Sequence, residues 1–182
     1  MEKPVWRVRS SVYVLESPFM RLRKDEIELP NGTILPEYYI RESEGFVMIF
    51  ALTPQDQVVL VRQYRYGNDS IGLELPAGSR DPNEDPLDCA RRELAEETGY
   101  ESLRWEHLFR ASAEPVRSTS VVDAYLVRDA VCTREQQLDP SEHIEVELAS
   151  IDEFVHLLRS GKIESVACIA VAYAALNELG KL

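Results

Sequence analysis

Cysteine is scarce in this chain. Its three residues, Cys89, Cys132 and Cys168, are odd in number, far apart and in no Cys-x-x-Cys pair. That excludes a disulfide framework and a thiolate zinc site, and suits reduced thiols in a cytoplasmic protein. Cys89 falls on a helical pattern and reads as packing rather than as a nucleophile. Basic runs are absent as well: 20 Lys and Arg stand against 32 Asp and Glu, for a net charge of −12. Binding to long nucleic acid through an electrostatic stripe is thereby disfavoured. No apolar run approaches the roughly 18 residues that cross a bilayer, and no signal-peptide core is present, so neither membrane insertion nor export is expected. The three histidines, His107, His143 and His156, share no metal-ligand spacing. There are no repeats or low-complexity segments. What remains is 182 residues with 45% hydrophobic content, enough for one cored domain with a small appendage.

The N-terminal part alternates. Residues 5–16, 19–29 and 33–42 read as strands, with Pro30-Asn31-Gly32 as a hairpin turn. An antiparallel unit of this size is too small to bury a core alone, so it must pack on the rest of the chain or on another subunit. Residues 46–52, FVMIFAL, are continuously apolar, as for a strand buried on both faces. Further strands are expected at 57–65, 72–78, 103–112, 120–128 and 143–149. Ser150 with Glu153 forms a capping-box signal for a helix that stops at Gly161. A last helix is expected over about 164–179, with Val166, Ile169, Ala170 and Tyr173 as its buried stripe. The pattern predicts an α/β fold with a mixed β-sheet between helices.

The densest signal is Gly78–Tyr100, GSRDPNEDPLDCARRELAEETGY. Asp85 before Pro86 marks a helix start and Gly99 its stop. Leu87, Ala90, Leu94 and Thr98 share one side of that helix. Glu93, Glu96 and Glu97 lie on the adjoining face, related by i, i+3 and i+4. Three like charges there repel, and a hard divalent cation with oxygen ligands would offset the cost.

This stretch resembles the Nudix box: Gly, five residues, Glu, seven residues, Arg-Glu, an aliphatic, any residue, Glu-Glu, any residue, Gly. Gly78, Glu84, Arg92, Glu93, Leu94, Glu96, Glu97 and Gly99 match, whereas Tyr100 stands where an aliphatic residue is usual. At roughly 7% usage per residue type, seven fixed matches arise by chance about once in 10⁸ start points. The flanking LVRQYR, LELPAG, Leu29-Pro30-Asn31-Gly32 and the C-terminal EHIEVELASIDEFVHLLRSGKI narrow the resemblance. They are similar to the ADP-ribose and nucleoside-diphosphate-sugar pyrophosphatase branch. Pro115 lies sixteen residues past Gly99, where that branch often has a proline, but without the following glycine.

The resemblance implies a Nudix fold, an α/β/α sandwich, over 44–182 and an N-terminal β unit over 1–43 that serves dimerisation and base contacts. It implies Mg²⁺, with Mn²⁺ as a possible substitute, held by Glu93, Glu96, Glu97 and the carbonyl of Ala77. Arg92 would fix a box carboxylate, Glu84 would support the site, and Gly78 would let the backbone turn toward the metal. The general base would be Glu142, or else Glu145; ordinary surface charge is the alternative for each. Arg62 and Arg65 are candidates to hold phosphate or the terminal sugar, or else are edge salt bridges. Arg117 could reach the substrate from its loop, and Trp6 could stack on the base or else pack. The implied protein is a cytoplasmic homodimer that hydrolyses a nucleotide sugar, with ADP-ribose the first candidate and with no nucleic-acid or membrane partner. GDP-mannose or a broad range of nucleotide sugars is the nearest alternative. Hydrolysis of nucleoside triphosphates, dinucleoside polyphosphates or RNA caps is another, and a non-catalytic ligand-sensing domain a third.

Overall fold

The computed structural model describes residues 5–182. The chain divides into two compact units. One takes the N-terminal segment to Gly45 together with Ser112–Val121, and the other takes Phe46–Ala111 with Val122–Leu182.

The first unit is an antiparallel sheet of β1 (Arg7–Ser17), β2 (Met20–Glu28) and β3 (Ile34–Glu42), in that order. Gly32 takes the positive φ that the β2–β3 turn requires (+82°), and the Asn31 side chain accepts from the Thr33 N–H at 3.0 Å. Asp25 is buried, and is held by Arg23 Nε at 2.9 and 3.0 Å and by the Ser11 hydroxyl at 2.7 Å. The segment 112–121 lies along β3: Arg41 donates to the Arg117 carbonyl at 2.9 Å, and Thr119 N–H returns to Arg41 O at 3.1 Å. Every residue of β1 except Ser17 is exposed, including Val8, Val12, Val14 and Leu15.

The second unit is built on β4 (Phe46–Leu52), whose alternate residues serve two cores. Val47, Ile49 and Ala51 face one cluster with Cys89, Ala90 and Leu94 of α1 (Pro86–Thr98). Met48, Phe50 and Leu52 face another, with Phe154 and Leu158 of α2 (Ile151–Arg159) and Cys168, Val171, Ala172, Ala175 and Leu176 of α3 (Val166–Glu178). One sheet between helices on both faces is the expected α/β/α sandwich, and its strand is apolar throughout because neither face meets water. Phe50 packs edge-to-face on Phe154 with ring centres 5.4 Å apart; truncating either would cost about 3–5 kcal/mol.

The sheet runs β12 (Ile144–Ser150), β5 (Gln57–Arg65), β4, β10 (Val121–Arg128), β9 (Arg104–Ser112). β10 is parallel to β4, whereas β5 is antiparallel to both β4 and β12, so the sheet is mixed. β4 and β5 pair only near their hairpin, at Ala51↔Val59 and Leu52↔Val58. Beyond that they part. β6 (Ser70–Glu74) pairs with the far end of β5, and β7 (Ala77–Ser79) with the start of β4. The single strand expected over 72–78 is therefore two. The break falls at Leu75-Pro76, where proline has no N–H for a ladder but its carbonyl accepts from Ile49 at 2.9 Å. This wedge places the Gly78 loop in the middle of the sheet. A two-stranded ribbon, β8 (Tyr100–Glu101) with β11 (Val131–Cys132), completes the unit.

The helix ends follow their sequence signals. Asp85 accepts from Leu87 and Asp88 N–H at 2.9 and 3.3 Å, and Gly99 closes α1 at φ +75°. Ser150 and Glu153 form a complete capping box, and Gly161 after α2 has φ +71°. The predicted stripe of α3 is wrong. Val166, Ala170 and Tyr173 are exposed and Ile169 is only half-buried; the buried line is the one through Cys168, Val171 and Ala172. That helix is apolar nearly all round, so periodicity alone did not select a face.

Candidate active site

The wedge of β6 and β7 brings the box loop onto α1. A Cβ built on Gly78 would land on the carboxyl group of Glu93, so glycine here is a matter of close approach. One turn on, Glu97 accepts from the Ala77 N–H at 3.0 Å. Both carboxylates are buried. Burial raises the Glu93 pKa, against the lowering influence of Arg92. Burial pushes Glu97 up to about 8, helped by the charges of Glu93 and Glu142 and opposed by the Ala77 N–H.

Arg92 organises the outer carboxylates. Its Nε and Nη2 grip Glu84 at 2.9 and 3.1 Å in a two-pronged pair. Its Nη1 donates to Glu93 at 2.7 Å and to Glu96 at 3.0 Å, and Nη2 also reaches the Ser79 carbonyl at 3.3 Å. The Arg92 guanidinium holds the Glu84 carboxyl down at about 2, aided by the Asp81 N–H at 2.9 Å. Cys89 lies beside this pair, and burial pushes its thiol up to about 12. It is packing material, inert as a nucleophile at neutral pH.

Among the described residues no three carboxylate, thiolate or imidazole groups already converge around one point as a metal cage. Glu93 and Glu96 both turn toward Arg92. The donor set nonetheless fits a hard divalent cation: oxygen donors only, two of them buried carboxylates whose pKa values burial raises, with the Glu142 charge acting on both in the same direction. A cation would relieve the burial cost that now favours their protonated forms.

Beside this helix lies a cavity of about 540 Å³ lined by Phe46, Met48, Arg65, Tyr66, Ala77 and Gly78 among others, a size suited to a small ligand. Arg65 is held across it by Glu74, with contacts of 3.0 and 2.6 Å. The charges of Glu97 and Glu142 also act on Arg65, so Arg65, Glu97 and Glu142 share one neighbourhood. Glu142 caps its own turn, its carboxylate accepting from the Asp139 N–H at 3.0 Å. Glu145, by contrast, lies on β12 opposite Arg62, which bonds Glu147. Arg117 and Trp6 belong to the other compact unit. There Arg117 stacks 4.4 Å over Tyr38, and Trp6 meets the same ring edge-on at 5.7 Å. Sequence reasoning passed over Glu74 and Tyr66. Glu74 was visible only as a charge inside the apolar LELPAG. A larger cavity of about 730 Å³ lies between Arg91, Leu103, Trp105 and Val131. No box carboxylate lines either cavity, but the smaller one takes in Ala77 and Gly78, the backbone against which Glu97 and Glu93 sit.

Comparison with known proteins agrees with this geometry. The model of the NUDIX domain matches residues 44–167. The chain belongs to the Nudix family. Residues 6–40 match the nucleoside diphosphate sugar hydrolase N-terminal domain. This Nudix hydrolase is 32% identical to a methanol dehydrogenase activator of Bacillus methanolicus, over 87% of this chain and 86% of that one. It is 27% identical to an ADP-ribose pyrophosphatase of Bacillus subtilis, over 85% and 84% of the two chains. It is 29% identical to a GDP-mannose pyrophosphatase of Yersinia enterocolitica, over the whole of both. In three dimensions it matches the crystal structure of an ADP compounds hydrolase with a TM-score of 0.85, at 21% identity, across 100% of this chain and 98% of that one. That match establishes the shared fold.

Proposed function

We propose that this Nudix hydrolase cleaves the pyrophosphate bond of a nucleoside diphosphate sugar in a Mg²⁺-dependent reaction. ADP-ribose is the first candidate, giving AMP and ribose 5-phosphate. The observation that carries this is the set Glu93, Glu96, Glu97 and Arg92 packed against Ala77 and Gly78, which with Arg65 line a ligand-sized cavity. The relatives named for ADP-ribose and GDP-mannose support the substrate class.

Glu93 and Glu97, with Glu96 and the carbonyl of Ala77, would hold the cation, Mn²⁺ being a possible substitute. Bound there, the metal supplies charge neutralisation for the phosphate oxygens. The chain supplies the rest. Arg92 keeps Glu93, Glu96 and Glu84 from repelling one another and fixes their rotamers. Arg65 is anchored by Glu74 and presents a cation to a phosphate group at the cavity wall. Arg62, paired with Glu147, would serve the terminal sugar only on leaving that partner. Glu142 accepts the proton of the attacking water as the new P–O bond forms and the bond to the bridging oxygen breaks. It is preferred to Glu145 because its charge acts on Glu93 and Glu97.

The N-terminal β unit over 1–43 joins two copies into a homodimer. The exposed Val8, Val12, Val14 and Leu15 of β1 are what a second sheet would cover. Trp6 and Arg117, both in contact with Tyr38, would then serve nucleobase and phosphate. The protein is cytoplasmic in this account, and takes neither nucleic acid nor membrane as a partner. The test is kcat/KM for ADP-ribose, GDP-mannose, ADP-glucose, UDP-glucose, a nucleoside triphosphate and a dinucleoside polyphosphate. Preference for any nucleotide sugar upholds the class and its order names the substrate. Turnover confined to the last two substrates would reject it, and tight binding without turnover of any would indicate a sensor.

A further inference from the structure

The last carbonyls of the box helix need donors from outside the helix, and its final turn has no basic residue to supply them. The chain after β11 does so. Thr133 N–H donates to Gly99 O at 3.0 Å and Gln137 N–H to Glu96 O at 2.9 Å. Between them, the Gln136 side-chain nitrogen donates to Glu97 O at 2.6 Å. The same nitrogen donates to Ile144 O, at the start of β12, at 3.1 Å. A side-chain amide nitrogen has two hydrogens, and here both are used. One end of this connection is the backbone of Glu97. The other is two residues beyond Glu142.

The chain between these two points is short and self-closed. Glu142 N–H donates to Asp139 O at 2.8 Å, and Asp139 N–H donates back to the Glu142 carboxylate at 3.0 Å. The turn keeps its own shape, but none of its own hydrogen bonds ties it to α1; Gln136 and Gln137 form that tie. Gln137 contributes one backbone bond at the start of the loop, whereas the Gln136 side chain alone spans from the helix to the far side of the turn.

We propose that Gln136 is a positioning residue for the hydrolysis: it fixes the Glu142 loop against the C-terminal end of the helix that carries Glu93 and Glu97. The proposal rests on Glu142 as the general base. Gln136 acts through that loop, without touching substrate. Its role needs donors at a set reach, so Gln136→Met, of similar length, removes both bonds with little change of volume. Gln136→Glu aims a carboxylate at two carbonyl oxygens and is the harsher change.

The experiment compares wild type, Gln136→Met, Glu142→Gln and the double variant on ADP-ribose with Mg²⁺, together with backbone amide exchange. Gln136→Met should lower kcat by on the order of 10-fold, with KM and the Mg²⁺ activation constant changed by less than about two-fold. Exchange over 138–143 should accelerate while the α1 amides from Cys89 to Glu97 keep their protection. In the Glu142→Gln background the second substitution should cost nothing further, because no base remains to be placed. An equal loss in both backgrounds, or a loss that appears in the Mg²⁺ constant, would mean that Gln136 merely props the helix, and would overturn the proposal. So would unchanged kcat in Gln136→Met. Full turnover by Glu142→Gln alone rejects the base assignment instead. The brace is then decided by exchange: faster exchange over 138–143 upholds it, and unchanged exchange removes it.

Discussion

Replacing Gly78 by alanine separates stability from chemistry at this site. The three heavy atoms nearest an added Cβ all belong to the Glu93 carboxyl group. Gly78 lies outside the left-handed backbone region, so alanine brings no φ penalty. The obstacle is the mobile end of a side chain rather than backbone, so the overpacking cost falls at the low end of about 1–3 kcal/mol. For a chain of this length 1 kcal/mol lowers Tm by about 2–4 °C. The fold should therefore survive with a small, cooperative loss. The function should not, because Glu93 must leave the place where it faces β7 and Arg92. We expect kcat/KM to fall on the order of 100-fold or more, with a much weaker Mg²⁺ dependence, as when a metal site loses a ligand or its support. Calorimetry, circular dichroism and Mg²⁺ titrations of turnover measure the two effects separately. A Gly78→Ala protein with wild-type turnover and wild-type Mg²⁺ activation would refute the placement of Glu93 as a ligand.

Three further outcomes are expected. Glu142→Gln should lower kcat by on the order of 10²-fold with an unchanged melting profile, read in steady-state assays; unchanged kcat would return the role to Glu145. Glu84 is held at about 2 by Arg92, below the ordinary carboxylate value of 4.5. A depressed acid lends stability above its unfolded pKa and loses it as pH falls toward its folded value. Wild type should thus lose stability between about pH 4.5 and 2 more steeply than Glu84→Gln, and parallel acid melts of the two would show that the Arg92 pair adds none. Val12→Asp on the exposed β1 face should convert a dimer to a monomer in analytical ultracentrifugation, whereas a monomeric wild type at micromolar concentration would remove the homodimer.

Much of this molecule can be read in its sequence where local chemistry determines the outcome. The caps of α1 at Asp85 and Gly99, the Ser150–Glu153 box and the apolar β4 depend on neighbours a few residues apart. The box carboxylates are legible because their spacing puts them on one helical face. Other features depend on partners far along the chain. Pro76 breaks a strand because β6 and β7 diverge to different neighbours, β5 and β4. The buried line of α3 is chosen by what packs on it, since its sequence is apolar on nearly every side. Glu74 matters through Arg65, nine residues earlier, and Gln136 through Glu97, thirty-nine residues earlier. A polar residue whose partner lies across the fold carries no local signal of that partner.

The most direct measurement follows ADP-ribose by chromatography and phosphorus NMR, with the enzyme in Mg²⁺ and then with excess EDTA. The account predicts AMP and ribose 5-phosphate in equal amounts with Mg²⁺, and intact substrate with EDTA. Undiminished cleavage in EDTA, or release of ADP with free ribose, would contradict a metal-dependent attack on the pyrophosphate bond.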